Sequence, residues 1–339
     1  MPGTRAAWEP PGWNAPERTR EELVPLRWRG LRYACRVITS DRPPVTEPLL
    51  LLGGALQDMY AWPRLERRLS DHMPLVFVDL PGVGTADDLP AEQGFDALAE
   101  AALAVADRLG FDRVNLLGAS YGAPIAYRAA LSRPAAVARL VLAGATHRMN
   151  PRLVSDCEQV WRARAALADD TDGSLSAAGS DEIAARAVAT LLNTGARDRV
   201  AQAPTVARML HRQFARITPA EARRHAVCHQ RLRAADPLPA TALDAVRALV
   251  FTGEHDDVST PDENRAVAAA ITDSTFLLVH GADHMVHLER EAEYADLVLR
   301  FLTDLPLDGL PYATAPEHPG RDTPAGFTPS GCSRRCEVG

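Results

Sequence analysis

Residues 114–122 read Val114-Asn115-Leu116-Leu117-Gly118-Ala119-Ser120-Tyr121-Gly122, an apolar run that passes straight into a Gly-x-Ser-x-Gly pattern. The run has the character of a buried strand, and the apolar spacing from Tyr121 to about Leu131 predicts a helix behind it. A strand that turns sharply into a helix through this pattern lifts its serine above the carboxyl edge of a sheet. Glycines at 118 and 122 suit the turn, because neighbouring backbone comes too close to admit a Cβ. The helix would aim its first N–H groups at the serine, where negative charge develops in acyl transfer.

The same strand-helix grammar extends in both directions. Leu31, Tyr33, Cys35 and Val37 alternate with more polar residues as a half-buried strand does. Leu49-Leu50-Leu51-Leu52 and Leu75-Val76-Phe77-Val78 read as strands buried on both faces, ended by Gly53-Gly54 and by Asp79-Leu80-Pro81-Gly82. A helix is predicted from Phe95 to Leu109 with Gly110 as its cap, then a strand at Leu140-Val141-Leu142. From His147 to about Asp244 the chain is rich in Ala and Arg with helical spacing. Alternation resumes with strands at Leu249-Val250-Phe251 and Phe276–Val279, and helices over Pro261–Ile271 and Leu288–Leu302. Repeated units of this kind predict an α/β fold with a doubly wound, mostly parallel sheet, the helical middle being an inserted cap. The expected layout is a disordered tail over 1–24, a first core half over 25–146, and the cap over 147–244. A second core half follows over 245–305, then a disordered tail over 306–339.

Composition narrows the function classes. The 339 residues carry a net charge of −7, which repels nucleic acid and anionic membranes, so neither is expected as a partner. All 37 basic residues are arginine, which excludes a phosphate loop ending in Gly-Lys, a Schiff-base lysine and a lysine general base. No apolar stretch approaches the roughly 20 residues of a membrane helix, and the first twenty residues lack the apolar centre of a signal peptide. Cys35, Cys157, Cys228, Cys332 and Cys336 are odd in number and scattered, as in a reducing cytoplasm; Cys332 and Cys336 read as two cysteines on a flexible end rather than a redox pair.

A serine hydroxyl needs a base to take its proton. Ten histidines leave proximity in sequence undecided, but fold position selects among them. The base belongs after the last strand, where Gly281-Ala282-Asp283-His284 stands, and the acid one strand earlier, at Gly253-Glu254-His255-Asp256-Asp257. Ser120, Asp256 and His284 follow the order Ser, Asp, His. His280 is expected to end its strand, and His287 to face the cap or solvent. His225 and His229, with Cys228 between them, have metal-pair spacing but lack a third ligand, so a solvated helix face is expected. No metal and no cofactor are expected.

These residues together resemble an α/β-hydrolase over about residues 27–304, with the insertion as that family's variable cap. The resemblance rests on Gly53-Gly54, Asp79-Leu80-Pro81-Gly82-Val83-Gly84, the serine turn, the acid loop and Gly281-Ala282-Asp283-His284. It implies Asp256 rather than Asp257 as the acid, three residues after Gly253, and an oxyanion hole from the backbone N–H groups of Ala55 and Tyr121. One departure is Gly53-Gly54 where the family often has His-Gly. The implied chemistry is two-step acyl transfer on an ester, thioester or amide. A serine at position 120 argues against dehalogenase and epoxide hydrolase chemistry, which need a carboxylate nucleophile.

A patchier likeness concerns Leu131-Ser132-Arg133-Pro134, the cap opening through Ala165, and the loop from Gly253 to Arg265 with Ser259-Thr260. These are similar to the synthase of rhamnolipid lipid precursors, and imply an acyl carrier protein as donor. Arg162, Arg164, Arg212, Arg216, Arg223 and Arg224 form either a solvated face or a docking surface for an acidic carrier or carboxylate substrate. Trp161, Met209, Leu210 and Phe214 either line an acyl pocket or fill core between cap and sheet. The expectation is a serine hydrolase of a small-molecule acyl ester or thioester. A carrier-dependent acyltransferase or hydroxyacyl-condensing enzyme with the same residues is the alternative, and a non-catalytic ligand-binding protein the third reading.

Overall fold

The apolar runs lie side by side in one sheet. Eight strands are formed among the described residues: β1 (Thr19–Trp28), β2 (Leu31–Ser40), β3 (Leu49–Leu52), β4 (Leu75–Asp79), β5 (Val114–Ala119), β6 (Val137–Ala143), β7 (Ala248–Gly253) and β8 (Ser274–Val279). This computed structural model describes residues 19–322 apart from 56, 149, 151, 152, 154, 158, 161, 162, 164–176, 235–237, 239 and 240. The spatial order is β1-β2-β4-β3-β5-β6-β7-β8. β2 pairs antiparallel with β1 and β4, while β4, β3 and β5 to β8 run parallel.

Alternate strand residues feed two cores. Leu50, Leu52, Val76, Val78 and Leu116 pack under the helices Phe95–Leu109 and Gly122–Ser132. Leu49, Leu51, Leu75, Phe77 and Leu117 pack against the helices Pro63–Leu69 and Glu291–Leu302 on the other face. Each buried side chain of this size contributes about 1.5–3 kcal/mol, which is why strands apolar on both faces end up central. The helix Phe95–Leu109 stops at Gly110, whose φ of +72° turns its N–H back to the Ala106 and Asp107 carbonyls.

Both expected tails are shorter than their sequence suggested. Residues 19–24 open β1 instead of belonging to a disordered arm. Only Val24 and Leu26 of β1 are buried, because it is an edge strand held by its backbone ladder to β2. Residues 306–322 run along the outer side of β8, bridging Phe276 to Glu317 and Val279 to Ala313, with Leu307 and Tyr312 buried. That segment covers the far edge of the sheet; Cys332 and Cys336 lie outside the described residues. The helix expected over Leu288–Leu302 is two pieces, Val286–Glu289 and Glu291–Leu302, broken at Arg290.

Between β6 and β7 stand the inserted helices Ala177–Ala189, Ala203–Ala215 and Pro219–Ala234. Val160, Ala184, Ala187, Val206, Leu210 and Phe214 form their own small core, against which Met285 and Leu288 pack from the loop after β8. The insertion is thereby seated over the carboxyl edge of the sheet. Among the described residues no helix is long and apolar enough to cross a membrane.

Candidate active site

Ser120 sits on the turn between β5 and the helix Gly122–Ser132 with a φ of +49°. A Cβ at Gly118 would come within 2.5 Å of the Gly122 carbonyl oxygen, and one at Gly122 within 2.0 Å of the Leu52 carbonyl oxygen. Those obstacles are backbone and cannot swing aside, so the steric reading of both glycines holds. The Ser120 N–H donates to the Ala143 carbonyl at 2.8 Å, and this packing holds the serine in a conformation side chains rarely adopt.

The loops after β7 and β8 meet at the same edge. A Cβ at Gly253 would lie 2.3 Å from the Asp283 carbonyl oxygen, and His255 N–H donates to Ala282 O at 3.0 Å, so the two loops are in backbone contact. His284 Nε2 lies 3.0 Å from Ser120 Oγ, and His284 Nδ1 lies 2.9 Å from Asp256 Oδ2. The Asp256 carboxylate is fully covered. Its Oδ1 accepts the Val258 and Ser259 N–H groups at 2.9 Å each, and its Oδ2 also accepts the Thr252 hydroxyl. Asp257 is exposed, so the geometry brings Asp256 and not its neighbour to the imidazole. Burial opposes a charge on His284, but the adjacent Asp256 carboxylate outweighs it and holds the imidazole pKa above its ordinary 6.5.

Behind His284 lie two further carboxyls. Asp283 N–H donates to Glu289 Oε2 at 2.7 Å. Burial raises Asp283 to about 6 and Glu289 to about 8, so Glu289 keeps its proton at neutral pH. A folded-state value above the unfolded 4.5 gives stability that is complete below pH 4.5 and is lost as pH climbs through about 8. Glu289→Gln keeps an acceptor for the Asp283 N–H and cannot ionise. Thermal scans should therefore show it losing less Tm than the parent protein between neutral pH and pH about 9; equal losses would refute the assignment.

Ser120, Ala55, Gly144 and Leu191 border two cavities, of about 430 Å³ and about 100 Å³. His284, Gln57, Trp62, Met209, Leu210 and His287 line the larger, and Tyr121, Pro124, Val160, Ala187 and Phe214 the smaller. Leu210 and Phe214 thus serve both expected roles, as insertion core and as cavity wall; Trp161, Arg162, Arg164 and Ala165 lie outside the described residues. Arg212, Arg216 and Arg223 are exposed, while Arg224 is held by Asp88 at 2.7 Å.

Two expectations about histidines are corrected. His287 is not simply turned to solvent: it is half-buried and lines the larger cavity beside Met209 and Leu210 of the insertion. Its ring packs tilted against Trp62 with centroids 4.6 Å apart, and its Nε2 accepts from Gln57 Nε2 at 2.8 Å while Gln57 Oε1 accepts Gly54 N–H at 2.6 Å. Burial drives His287 down to about 3, so it stays neutral. His225, Cys228 and His229 are not a solvated face either, since all three line the smaller cavity, and burial lowers His225 to about 4. Their helix has no sharply apolar side, and seating rather than composition turns these residues inward.

Gln57 and Trp62 escaped the sequence reading because their loop signalled only through its glycines. Arg231 escaped it too. Almost fully buried, its guanidinium donates to the Tyr121 hydroxyl and to the carbonyls of Gln93 at 2.7 Å, Leu89 at 3.0 Å and Pro90 at 2.9 Å. Ser259-Thr260 has a local use: Thr260 caps the helix Pro261–Ala269 in a capping box with Glu263.

Comparison with known proteins agrees with this architecture. RutD of Agrobacterium fabrum, provisionally named a carbamate hydrolase, is 32% identical over 113 residues, covering 32% of this chain and 43% of that protein's length. An esterase from Thermogutta terrifontis superposes with a TM-score of 0.63 at 20% identity, covering 85% of this chain and 98% of that one. An enol-lactonase from Burkholderia xenovorans LB400 gives 0.62 at 22% identity, covering 83% and 100%. The sequence profile of the α/β-hydrolase fold matches residues 47–291, and with the sheet order and serine turn described above it establishes that this chain belongs to the α/β-hydrolase family.

Proposed function

We propose that the protein is a serine hydrolase that cleaves an ester or thioester through an acyl-enzyme on Ser120. What carries this reading is the unbroken line from Ser120 Oγ through the His284 imidazole to the buried Asp256 carboxylate, at 3.0 and 2.9 Å. His284 Nε2 takes the hydroxyl proton as Oγ bonds to the carbonyl carbon, and the carbonyl electrons move onto oxygen. The N–H groups of Ala55 and Tyr121 receive that oxyanion. The intermediate collapses, the bond to the leaving heteroatom breaks, and His284 returns its proton there. Water then repeats the sequence, giving a proton to His284, releasing the acid and restoring Ser120.

Incubation with a fluorophosphonate followed by intact mass measurement should give one adduct, mapped to Ser120 and missing in Ser120→Ala. A panel of esters, thioesters and carbamates with one common leaving group identifies the bond; carbamates enter it because of the partial likeness to RutD. Product analysis separates hydrolysis from condensation, since a condensing enzyme given a carrier-bound hydroxyacyl donor would release a dimeric acyl product rather than free acid.

The raised pKa of His284 sets the pH dependence. The base must be neutral, so kcat/KM is expected to rise with pH and reach half its plateau above pH 6.5. A midpoint below that value in a pH–rate profile would count against His284 as the base.

A further inference from the structure

Resting on that acyl-enzyme reading, we infer that the site takes esters joining a short, apolar acid to a bulky, polar alcohol. The tetrahedral carbon on Ser120 has four substituents, and three directions are assigned: Oγ itself, the oxyanion toward the Ala55 and Tyr121 N–H groups, and the leaving heteroatom toward His284 Nε2. The acyl substituent takes the fourth. Of the two cavities that meet at Ser120, only the larger is bordered by His284 and only the smaller by Tyr121. The leaving group therefore occupies the larger cavity and the acyl group the smaller.

The two differ in size and in chemistry. The smaller cavity holds about 100 Å³ and is lined by Pro124, Val160, Ala187, Leu191 and Phe214 together with His225, Cys228 and His229. An apolar cavity of about 150 Å³ just admits benzene, so the smaller one admits a chain of about four carbons. The larger, at about 430 Å³, has the dimensions of a small-molecule pocket. Its wall includes the polar side chains of Gln57, Asp58, Tyr60, Arg64 and Gln213, which suit an alcohol that carries polar groups. The rings of Trp62 and His287 meet at this wall, centroids 4.6 Å apart and tilted by 38°, and add apolar area for the alcohol.

Two kinetic series test this. Across p-nitrophenyl esters of straight-chain acids from acetate to laurate, kcat/KM should peak near butyrate and fall at least about tenfold by octanoate. Phe214→Ala, which enlarges the smaller cavity, should move the peak to longer acids. With butyrate fixed, the kcat/KM ratio of glucose butyrate to ethyl butyrate should exceed one in the parent protein. A wild-type peak at octanoate or beyond, or a glucose-to-ethyl ratio below one, overturns the inference, and the wild-type series decides even if Phe214→Ala fails to fold. Long-chain preference with a phosphonate adduct on Ser120 would sink this inference alone. Absence of both turnover and adduct would sink the acyl-enzyme reading beneath it.

Discussion

Ser120→Ala is expected to lower kcat/KM on the best ester by about 10⁴-fold or more, while urea unfolding moves by less than about 1 kcal/mol. The loss is large because no other hydroxyl stands within reach of His284 Nε2 among the described residues, so water must attack directly. Residual activity would come from the oxyanion donors and from binding, which the substitution leaves in place. The fold should tolerate the change, since the turn is held by Gly118, Gly122 and the Ser120 N–H bond to Ala143, none of which uses Oγ. A variant that retained more than a hundredth of the parent activity would show that Ser120 is not the nucleophile.

Asp256→Asn should cost about 10⁴-fold in kcat, and Asp257→Asn less than about twofold. The contrast follows from what surrounds each carboxylate. Asp256 accepts from two backbone N–H groups, the Thr252 hydroxyl and His284 Nδ1, so its acceptor positions are already turned toward donors. An asparagine must aim its NH₂ at one of them. The yielding partner is the imidazole, which can shift its proton to Nε2 and then can no longer accept from Ser120. Asp257 is exposed, where water can solvate either an acid or an amide side chain. The acidic limb of the pH–rate profile should also move to lower pH in Asp256→Asn, since the carboxylate that raises His284 is gone. Equal losses from the two substitutions would assign the acid wrongly.

The extent to which the molecule was legible differs by element. The strands at Leu49, Leu75 and Val114 announced themselves because burial on both faces demands uninterrupted apolar residues. β1 did not, since an edge strand stabilised by its ladder to β2 leaves little trace in side-chain pattern. The segment 306–322 hid for the same reason: its hold on β8 is two bridges and a few buried side chains.

Of the candidate site, Ser120 was legible because its turn is a local steric problem that leaves glycines on either side. Asp256 and His284 were legible through chain order and through the family resemblance of their loops, with Asp256 set three residues after Gly253 and His284 closing Gly281-Ala282-Asp283-His284. His287, Gln57 and Trp62 had no local signature, because what they do depends on residues far away in the chain.

The sequence by itself determined the alternation of strands and helices, the sharp turn under the serine, and which loops reach the carboxyl edge, all of which follow from local periodicity and sterics. Only the tertiary structure decided which carboxylate meets the imidazole and that the serine stands between two unequal cavities. Cavity walls are assembled from segments more than a hundred residues apart, such as Trp62 and His284 in the larger and Tyr121 and His225 in the smaller, and their spacing is set by how whole layers pack.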